Sequence, residues 1–164
     1  MTNKHPVKID EVGLIGFTQN LIQTPSLSMQ EVGAANLVAK KMRDIGFDEV
    51  VIDPIHNVVG YIYGDDPEPE MIFNGHIDHV PPGEMLEPYS GKIADGSKYG
   101  IKGRVIEGRG ACDMKGAVAS MIYAAKALKE SGAIFKKTFV MTAVVREEMA
   151  KGEGILRLLE QGEL

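Results

Sequence analysis

The chain has 164 residues, of which 44% are hydrophobic and 25% charged, a balance typical of a globular domain with its own core. Its net charge of −5 argues against a nucleic-acid-binding protein, which normally carries a basic face. A single cysteine, Cys112, allows no intrachain disulfide, and neither a signal peptide nor an apolar run of membrane-spanning length is evident. We therefore expect a cytoplasmic protein without nucleic-acid or membrane partners.

Two helices and two strands are predicted in the first third of the chain. Apolar residues at helical spacing indicate a helix over about 7–23. Ser28 followed by Glu31 has the spacing of a capping box, which predicts the start of a second helix. The period then changes, and β-branched residues predict strands over 50–52 and 58–63.

The rest of the chain is predicted to alternate strands and helices. In chain order we expect a turn over 65–70, a strand over 71–73, a Gly- and Pro-rich surface excursion over 81–103, a brief strand over 104–107, a helix over 116–131, a strand over 138–145 and a helix from Ile155. The strand over 138–145 is nearly all apolar, which is typical of burial on both faces. This order predicts an α/β fold with a mixed, mostly parallel sheet flanked by helices.

Three segments concentrate side chains that can bind a metal or transfer a proton. They contain His76 with Asp78, Asp113 in a glycine-rich run, and the adjacent pair Glu147 and Glu148. Imidazole nitrogens and carboxylate oxygens are donors that zinc accepts. The histidine and the glutamate pair follow predicted strands, and sites in α/β sheets form beyond the carboxyl ends of strands.

Each of the first two segments also has a less specific interpretation. His76 could bind a metal through one ring nitrogen while Asp78, two residues along an extended segment, accepts a hydrogen bond from the other. The alternative is a loop histidine with ordinary partners. Asp113 precedes the predicted helix over 116–131 and could serve only as its N-cap.

The glutamate pair is the harder feature to explain without a cation. Glu147 and Glu148 follow an apolar strand, where two carboxylates repel each other and are costly to desolvate. A metal pair would supply the positive charge. A solvated loop, or pairing with Arg146 or Lys151, is the alternative.

Other chemistries are less well supported by the sequence. The stretch Gly108-x-Gly110 is not a dinucleotide-binding fingerprint, because its third glycine position holds Asp113. Cys112 lies beside carboxylates, which disfavours a nucleophilic role for its thiol. We interpret His79 as a structural residue.

Together, the segments FNGHIDHVPPGE, GRGACDMKGAVASMIYAAKALKESG and EEMAKGEG resemble the zinc-dependent aminoacylase, acetylornithine deacetylase, succinyl-diaminopimelate desuccinylase and di-zinc carboxypeptidase family of metallopeptidases. They occur in the family's order over most of the chain. The stretches SGKIADGSKYG and PPGE are similar to a subgroup named as selenium-metabolism hydrolases. The resemblance implies a phosphorylase/hydrolase-like, aminopeptidase-type catalytic domain.

The resemblance also implies a role for each candidate residue. His76 would bind one metal, Asp113 would bridge two, Glu148 would bind the second, Glu147 would be the general base and Asp78 would orient His76. The cofactors would be two divalent ions, zinc in the first place, with cobalt or manganese as alternatives. The implied reaction is hydrolysis of an amide bond in a small peptide or N-acyl amino acid, with a metal-bound water as nucleophile.

Two further features follow from the resemblance. It implies a cis peptide between Asp113 and Met114, and Arg146 departs from it because many members carry an acidic residue there. Family members also continue into a further carboxylate ligand, a lid or dimerisation domain and a late histidine ligand.

We therefore expect residues 1–164 to be the N-terminal portion of the catalytic domain, with the lid or dimerisation domain and the C-terminal part of the catalytic domain absent. We expect this truncated fragment to be inactive alone, and the full-length protein to be a homodimer. The alternative is a non-enzymatic, truncated α/β module that self-associates.

Overall fold

The computed structural model describes residues 7–162, which contain four α-helices and six strands. In chain order these are α1 (Glu11–Ile22), α2 (Val32–Asp44), β1 (Glu49–Ile52), β2 (Val58–Ile62), β3 (Asp66–His76), β4 (Ile93–Asp95), β5 (Arg104–Ile106), α3 (Gly116–Glu130), β6 (Lys137–Val144) and α4 (Glu153–Glu160). Within these residues no helix is long and apolar enough to cross a membrane.

The main sheet has the strand order β1-β2-β6-β3, and β4 and β5 form a separate antiparallel pair. Strands β3 and β6 run parallel, with His76 opposite Val144. The carboxyl ends of both strands therefore meet at one edge of the sheet, and the segments that follow them start side by side. This is the edge at which an α/β sheet places its site.

The sheet is mixed, as predicted, but the expectation that it is mostly parallel was wrong. Both the β1–β2 and the β2–β6 pairs are antiparallel. The connection over 53–57 is too short for the crossover that a parallel β1–β2 pair would require. The apolar run of each strand signals burial and does not identify the direction of its neighbour.

Helices flank the sheet on both faces. Alternate residues of β6 point to opposite sides, so that Phe139 and Met141 pack into the core with α1, α2 and α3. Val140 and Val144 pack on the other face with Leu158 of α4. Strand β6 is thus buried on both faces, which explains its apolar sequence.

Two local predictions were wrong. The segment predicted as a turn over 65–70 belongs to β3, which starts at Asp66 and pairs irregularly with β6 between Asp66 and Met71. Proline is tolerated there because β3 is an edge strand of the sheet. The capping box also failed, since Glu31 is itself the N-cap residue of α2 and Ser28 donates a hydrogen bond to Asp78 instead.

Candidate metal centre

The three residues predicted as metal ligands meet at the shared edge of β3 and β6. His76 ends β3, Glu148 lies in the turn Glu147–Lys151 after β6, and Asp113 lies in the turn Ala111–Lys115 before α3. We call these the glutamate turn and the aspartate turn. One donor atom from each residue lies within 4.8 Å of the other two. The structure therefore brings together three donors from distant parts of the chain.

The imidazole of His76 is buried and held in one orientation by Asp78. Its Nδ1 lies 3.1 Å from the main-chain oxygen of Asp78 and 3.4 Å from the carboxylate Oδ1 of the same residue. The other nitrogen, Nε2, lies 2.9 Å from Asp113 Oδ1. Asp78 thus stands beside the ring as predicted, although its main-chain oxygen is the nearer partner. An Nδ1–H donated to Asp78 leaves Nε2 as the metal-binding nitrogen.

Asp78 also anchors the glutamate turn, a role that sequence reasoning missed. Its carboxylate is fully buried and accepts hydrogen bonds from the main-chain N–H groups of Glu147 (3.2 Å) and Glu148 (3.1 Å). Ser28 Oγ donates a third bond of 2.6 Å. Burial raises the pKa of Asp78, but the hydrogen bonds from His76, Ser28 and the turn outweigh it and lower that pKa.

The aspartate turn is preceded by Gly110, which adopts a left-handed conformation (φ 76°). The peptide between Asp113 and Met114 is cis, as the resemblance implied. The N-cap alternative for Asp113 is wrong, because Lys115 is the N-cap residue of α3. The Asp113 side chain is exposed and contacts His76.

Lys115 is a second feature that sequence reasoning missed. It is fully buried, and its Nζ donates to the main-chain oxygens of Leu21 (2.9 Å) and Thr24 (2.8 Å) at the end of α1. Burial lowers the pKa of Lys115 to about 8. The lysine ties α1 to the aspartate turn, and nothing in the local pattern distinguishes it from a surface lysine.

Arg146, which precedes the glutamate turn, does not neutralise the glutamate pair. Its guanidinium forms an ion pair with Glu153, and its main chain is left-handed (φ 58°). The Glu147 side chain is about half exposed, with Oε2 3.8 Å from His76 Nε2. Glu148 is partly buried. The alternative in which Arg146 pairs with the glutamates is therefore not observed.

The cluster carries an excess of negative charge. The carboxylates of Asp78, Asp113, Glu147 and Glu148 surround one imidazole. Burial lowers the pKa of His76, but hydrogen bonds to Asp78 and Asp113 outweigh it and raise that pKa to about 9. Burial, and then the charge of Asp113, raise the pKa of Glu148. Such a cluster is stabilised by a cation.

The donor set fits a divalent metal. Two ligands of one four-coordinate zinc lie roughly 3–3.5 Å apart, and the three donor atoms here lie within 4.8 Å of one another. The set combines one imidazole with two carboxylates, which suits zinc, cobalt or manganese. Small movements of Asp113 and Glu148 would close the set around an ion.

Two neighbouring residues have other roles. His79 is buried, its Nε2 accepts from the N–H of Ser26 (3.0 Å) and its Nδ1 donates to Val80 O (2.8 Å), so the structural interpretation is confirmed. Burial lowers the pKa of His79, in keeping with a neutral ring. Cys112 is exposed and lines an apolar groove of about 660 Å³ between α1 and β5.

Comparison with known proteins identifies two curated relatives of the chain. The chain is 34% identical over 149 residues to YgeY, an uncharacterized protein of Escherichia coli, covering 88% of this chain and 34% of that protein. It is 35% identical over 157 residues to a succinyl-diaminopimelate desuccinylase of Methylobacterium radiotolerans, covering 88% of this chain and 37% of that protein. The chain thus spans about a third of the length of these curated relatives.

A solved structure has the same fold. The YXEP protein of Bacillus subtilis, described as a dinuclear metal-binding peptidase of the M20 family, superposes with a TM-score of 0.70. The two chains are 26% identical, and the match covers 93% of this chain and 40% of that one. Residues 72–164, more than half of the chain and including every candidate site residue, match peptidase family M20/M25/M40. The chain therefore belongs to peptidase family M20/M25/M40.

Proposed function

We propose that His76, Asp113 and Glu148 bind divalent metal ions in a hydrolase that cleaves an amide bond of a small peptide or N-acyl amino acid. The observation that carries the proposal is the convergence of their donor atoms to within 4.8 Å from three separate segments. In this proposal His76 would hold one ion, Glu148 would hold a second, and Asp113 would contribute to both. Zinc is the expected metal, with cobalt or manganese as alternatives.

Glu147 is proposed as the general base. When bound, the metal ions would lower the pKa of a water molecule toward roughly 7 and polarise the scissile carbonyl. The Glu147 carboxylate lies beside the donor set and is about half exposed, so that it can reach both solvent and substrate. It would take a proton from the attacking water and deliver that proton to the leaving nitrogen.

Asp78 supports both functions through its contacts. It fixes His76 by the ring nitrogen that faces away from Asp113, and it holds the N–H groups of both Glu147 and Glu148. A displacement of Asp78 would therefore move the metal ligands and the base together. Partners of this kind typically change metal affinity or activity by about 10–100-fold when they are removed.

The number of donors supports a role as one part of a larger catalytic domain. Two four-coordinate ions require more donors than the three that converge within residues 7–162. We infer that residues 1–164 correspond to the N-terminal portion of the catalytic domain, and that the remaining ligands come from the lid or dimerisation domain or the C-terminal part of the catalytic domain. The complete enzyme is proposed to be a homodimer. For the 164 residues alone we expect weak metal binding and no hydrolysis.

Replacing Glu147 with Gln in the complete enzyme tests the base assignment. We expect turnover to fall by about 10²–10⁴-fold, with the metal content unchanged. The matched control is Glu160→Gln, an exposed glutamate on α4, which should leave both quantities unchanged. Retained turnover would remove Glu147 from the role of base, and loss of metal would make it a ligand instead.

Self-association is a second candidate function, and the edge of the sheet favours it. Strand β3 pairs with β6 on one side, and its residues Met71 and Ile72 are 51% and 44% exposed. An exposed apolar edge strand is a template for pairing with another chain. Light scattering combined with metal analysis, both on residues 1–164 alone, separates the two candidates. A monomer that binds metal favours the hydrolase, and a metal-free dimer that Ile72→Lys disrupts favours association.

A further inference from the structure

We propose that Glu31 is a positioning residue, whose carboxylate holds the main chain of Arg146 and thereby aims Glu147 and Glu148 at His76. The expected effect of Glu31 on metal binding rests on the proposed function. Its structural part concerns only the chain's own hydrogen bonds.

Four consecutive main-chain N–H groups at the end of β6 donate to side chains from other parts of the fold. The donor and acceptor pairs are Val145 to Asn57 Oδ1 (3.0 Å), Arg146 to Glu31 Oε1 (3.0 Å), Glu147 to Asp78 Oδ1 (3.2 Å) and Glu148 to Asp78 Oδ2 (3.1 Å). The strand ladder ends at this point, so each N–H group needs a partner outside the sheet. Three acceptor side chains therefore define the path of the main chain through the site.

Glu31 supports the most unusual residue of this path. Arg146 is left-handed, with φ 58° and ψ 31°, a conformation that is unfavourable for a non-glycine residue and persists only where the surroundings hold it. Its N–H donates to Glu31, whose side chain is 1% exposed. Among residues 7–162, the Glu31 side chain accepts no hydrogen bond that would cap the start of α2. Helix capping therefore does not explain why this acid is buried.

The direction of the chain at Arg146 decides where the two glutamates point. Adjacent residues of a continuing strand would place their side chains on opposite faces of the sheet. Because the chain turns at Arg146, Glu147 Oε2 reaches to 3.8 Å from His76 Nε2 while Glu148 joins the donor cluster. Loss of the Glu31 hydrogen bond would relax this turn and separate the base and ligand from the imidazole.

The first experiment is hydrogen exchange on the metal-free chain, with Glu31→Ala and Glu31→Gln compared with wild type. Glutamine keeps an oxygen at the same position and can accept the Arg146 N–H, whereas alanine cannot. We expect the Arg146 amide to exchange at least about tenfold faster in Glu31→Ala, and within a few-fold of wild type in Glu31→Gln. The control is Val38→Ala, a fully buried residue of α2 that should lower stability without a selective change at Arg146.

The second experiment places the same substitutions in the complete enzyme and titrates it with Co²⁺, with binding measured by the visible absorption of the ion. We expect affinity to fall by about 10–100-fold in Glu31→Ala, and to stay near wild type in Glu31→Gln and Val38→Ala. Equal impairment of both Glu31 variants, or exchange at Arg146 unchanged by alanine, would overturn the positioning role. If the complete wild-type enzyme binds no Co²⁺, the proposed function fails, and hydrogen exchange still decides the role of Glu31.

Discussion

The two turns that carry proposed metal ligands are held in place by opposite means. In the aspartate turn, main-chain bonds close the loop locally, from Ala111 N to Gly108 O (3.3 Å) and from Lys115 N to Gly110 O (2.9 Å). In the glutamate turn, the N–H groups of Glu147 and Glu148 donate to side chains from distant segments. One turn is therefore encoded by glycines near its own ligand, and the other by residues far away in the chain.

This difference explains which parts of the centre are visible in the sequence. A locally encoded turn leaves a dense motif of glycines around its ligand, as it does around Asp113. A turn held by distant acceptors leaves only the bare pair Glu147-Glu148. The two turns should also respond differently to substitution, since the first depends on backbone conformation and the second on single side-chain acceptors.

The largest expected effect comes from Gly108→Ala, which tests the local encoding of the aspartate turn. Gly108 has φ +153°, and a Cβ there would lie 2.3 Å from Cγ2 of Ile22, whose side chain is fully buried and cannot move aside. Overpacking and backbone strain together should lower the free energy of unfolding by about 2–5 kcal/mol, measured by urea denaturation. Gly16→Ala in α1 is the control, because no atom lies near its Cβ and the change should be neutral or stabilising. Equal changes in the free energy of unfolding for Gly108→Ala and Gly16→Ala would contradict a turn that is held by its own glycines.

Lys115→Met tests the attachment of the aspartate turn to the end of α1. The variant leaves the main-chain oxygens of Leu21 and Thr24 without their donor, which should lower the free energy of unfolding by about 2–4 kcal/mol. The exposed Lys102→Met should change it by less than about 0.5 kcal/mol. A neutral result at Lys115 would mean that the turn needs no anchor on α1.

Lys115→Met should also change how the free energy of unfolding depends on pH. The pKa of Lys115 is lowered from 10.5 to about 8 in the folded chain. Between these values the unfolded chain binds more protons, so the free energy of unfolding should rise with pH in that window. Lys115→Met should lack this rise. An identical slope in both proteins, measured by urea denaturation from pH 8 to 10.5, would contradict the burial of a charged lysine.

A smaller effect is expected at His76, where the two turns meet. It concerns the free energy of Co²⁺ binding, which should change by about 1.4 kcal/mol per pH unit. The pKa of His76 is raised to about 9 in the metal-free chain, and a metal must displace the Nε2 proton in order to bind. Below pH 9 the affinity for Co²⁺ should therefore increase about tenfold per unit as pH rises, and it should level off above that value. An affinity independent of pH between 6.5 and 8.5 would exclude His76 as a ligand.

The smallest effect is expected for Arg146→Gly. This substitution removes the guanidinium but keeps the main-chain N–H group that precedes the glutamate turn. Glycine keeps the main-chain N–H group that donates to Glu31, and it adopts the left-handed conformation without strain. The ion pair with Glu153 is lost. These changes should nearly cancel, leaving the free energy of unfolding within about 1 kcal/mol of wild type. The affinity for Co²⁺ should change by less than a few-fold. A large loss of affinity would mean that the guanidinium itself shapes the site.

Much of the fold was predictable because burial leaves a periodic trace in the sequence. The helix over 116–131 and the strand over 138–145 match α3 and β6 to within a residue. Periodicity does not reveal the partner of a strand, which is why the antiparallel β1–β2 and β2–β6 pairs were missed. The start of β3 was missed because its prolines are typical of turns and are tolerated here at a sheet edge.

The donor residues of the candidate centre were predictable from the sequence. The side chains that hold those donors in place were not. His76, Asp113 and Glu148 stand in recognisable motifs, and the structure brings them together. Ser28 and Glu31 matched a capping box, a local pattern, yet both side chains reach across the fold to the site. Such contacts depend on tertiary packing, so no local spacing in the sequence indicates them.

Zinc-edge X-ray absorption on the metal-loaded protein is the decisive measurement for His76, Asp113 and Glu148 as metal ligands, because it identifies the atoms bound to the ion. We expect nitrogen and oxygen ligands, with an imidazole signal that weakens in His76→Ala. We also expect loss of bound zinc in Asp113→Asn and Glu148→Gln, with retention in Glu147→Gln. A spectrum unchanged by His76→Ala, or one with sulfur from Cys112 as a ligand, would contradict the account.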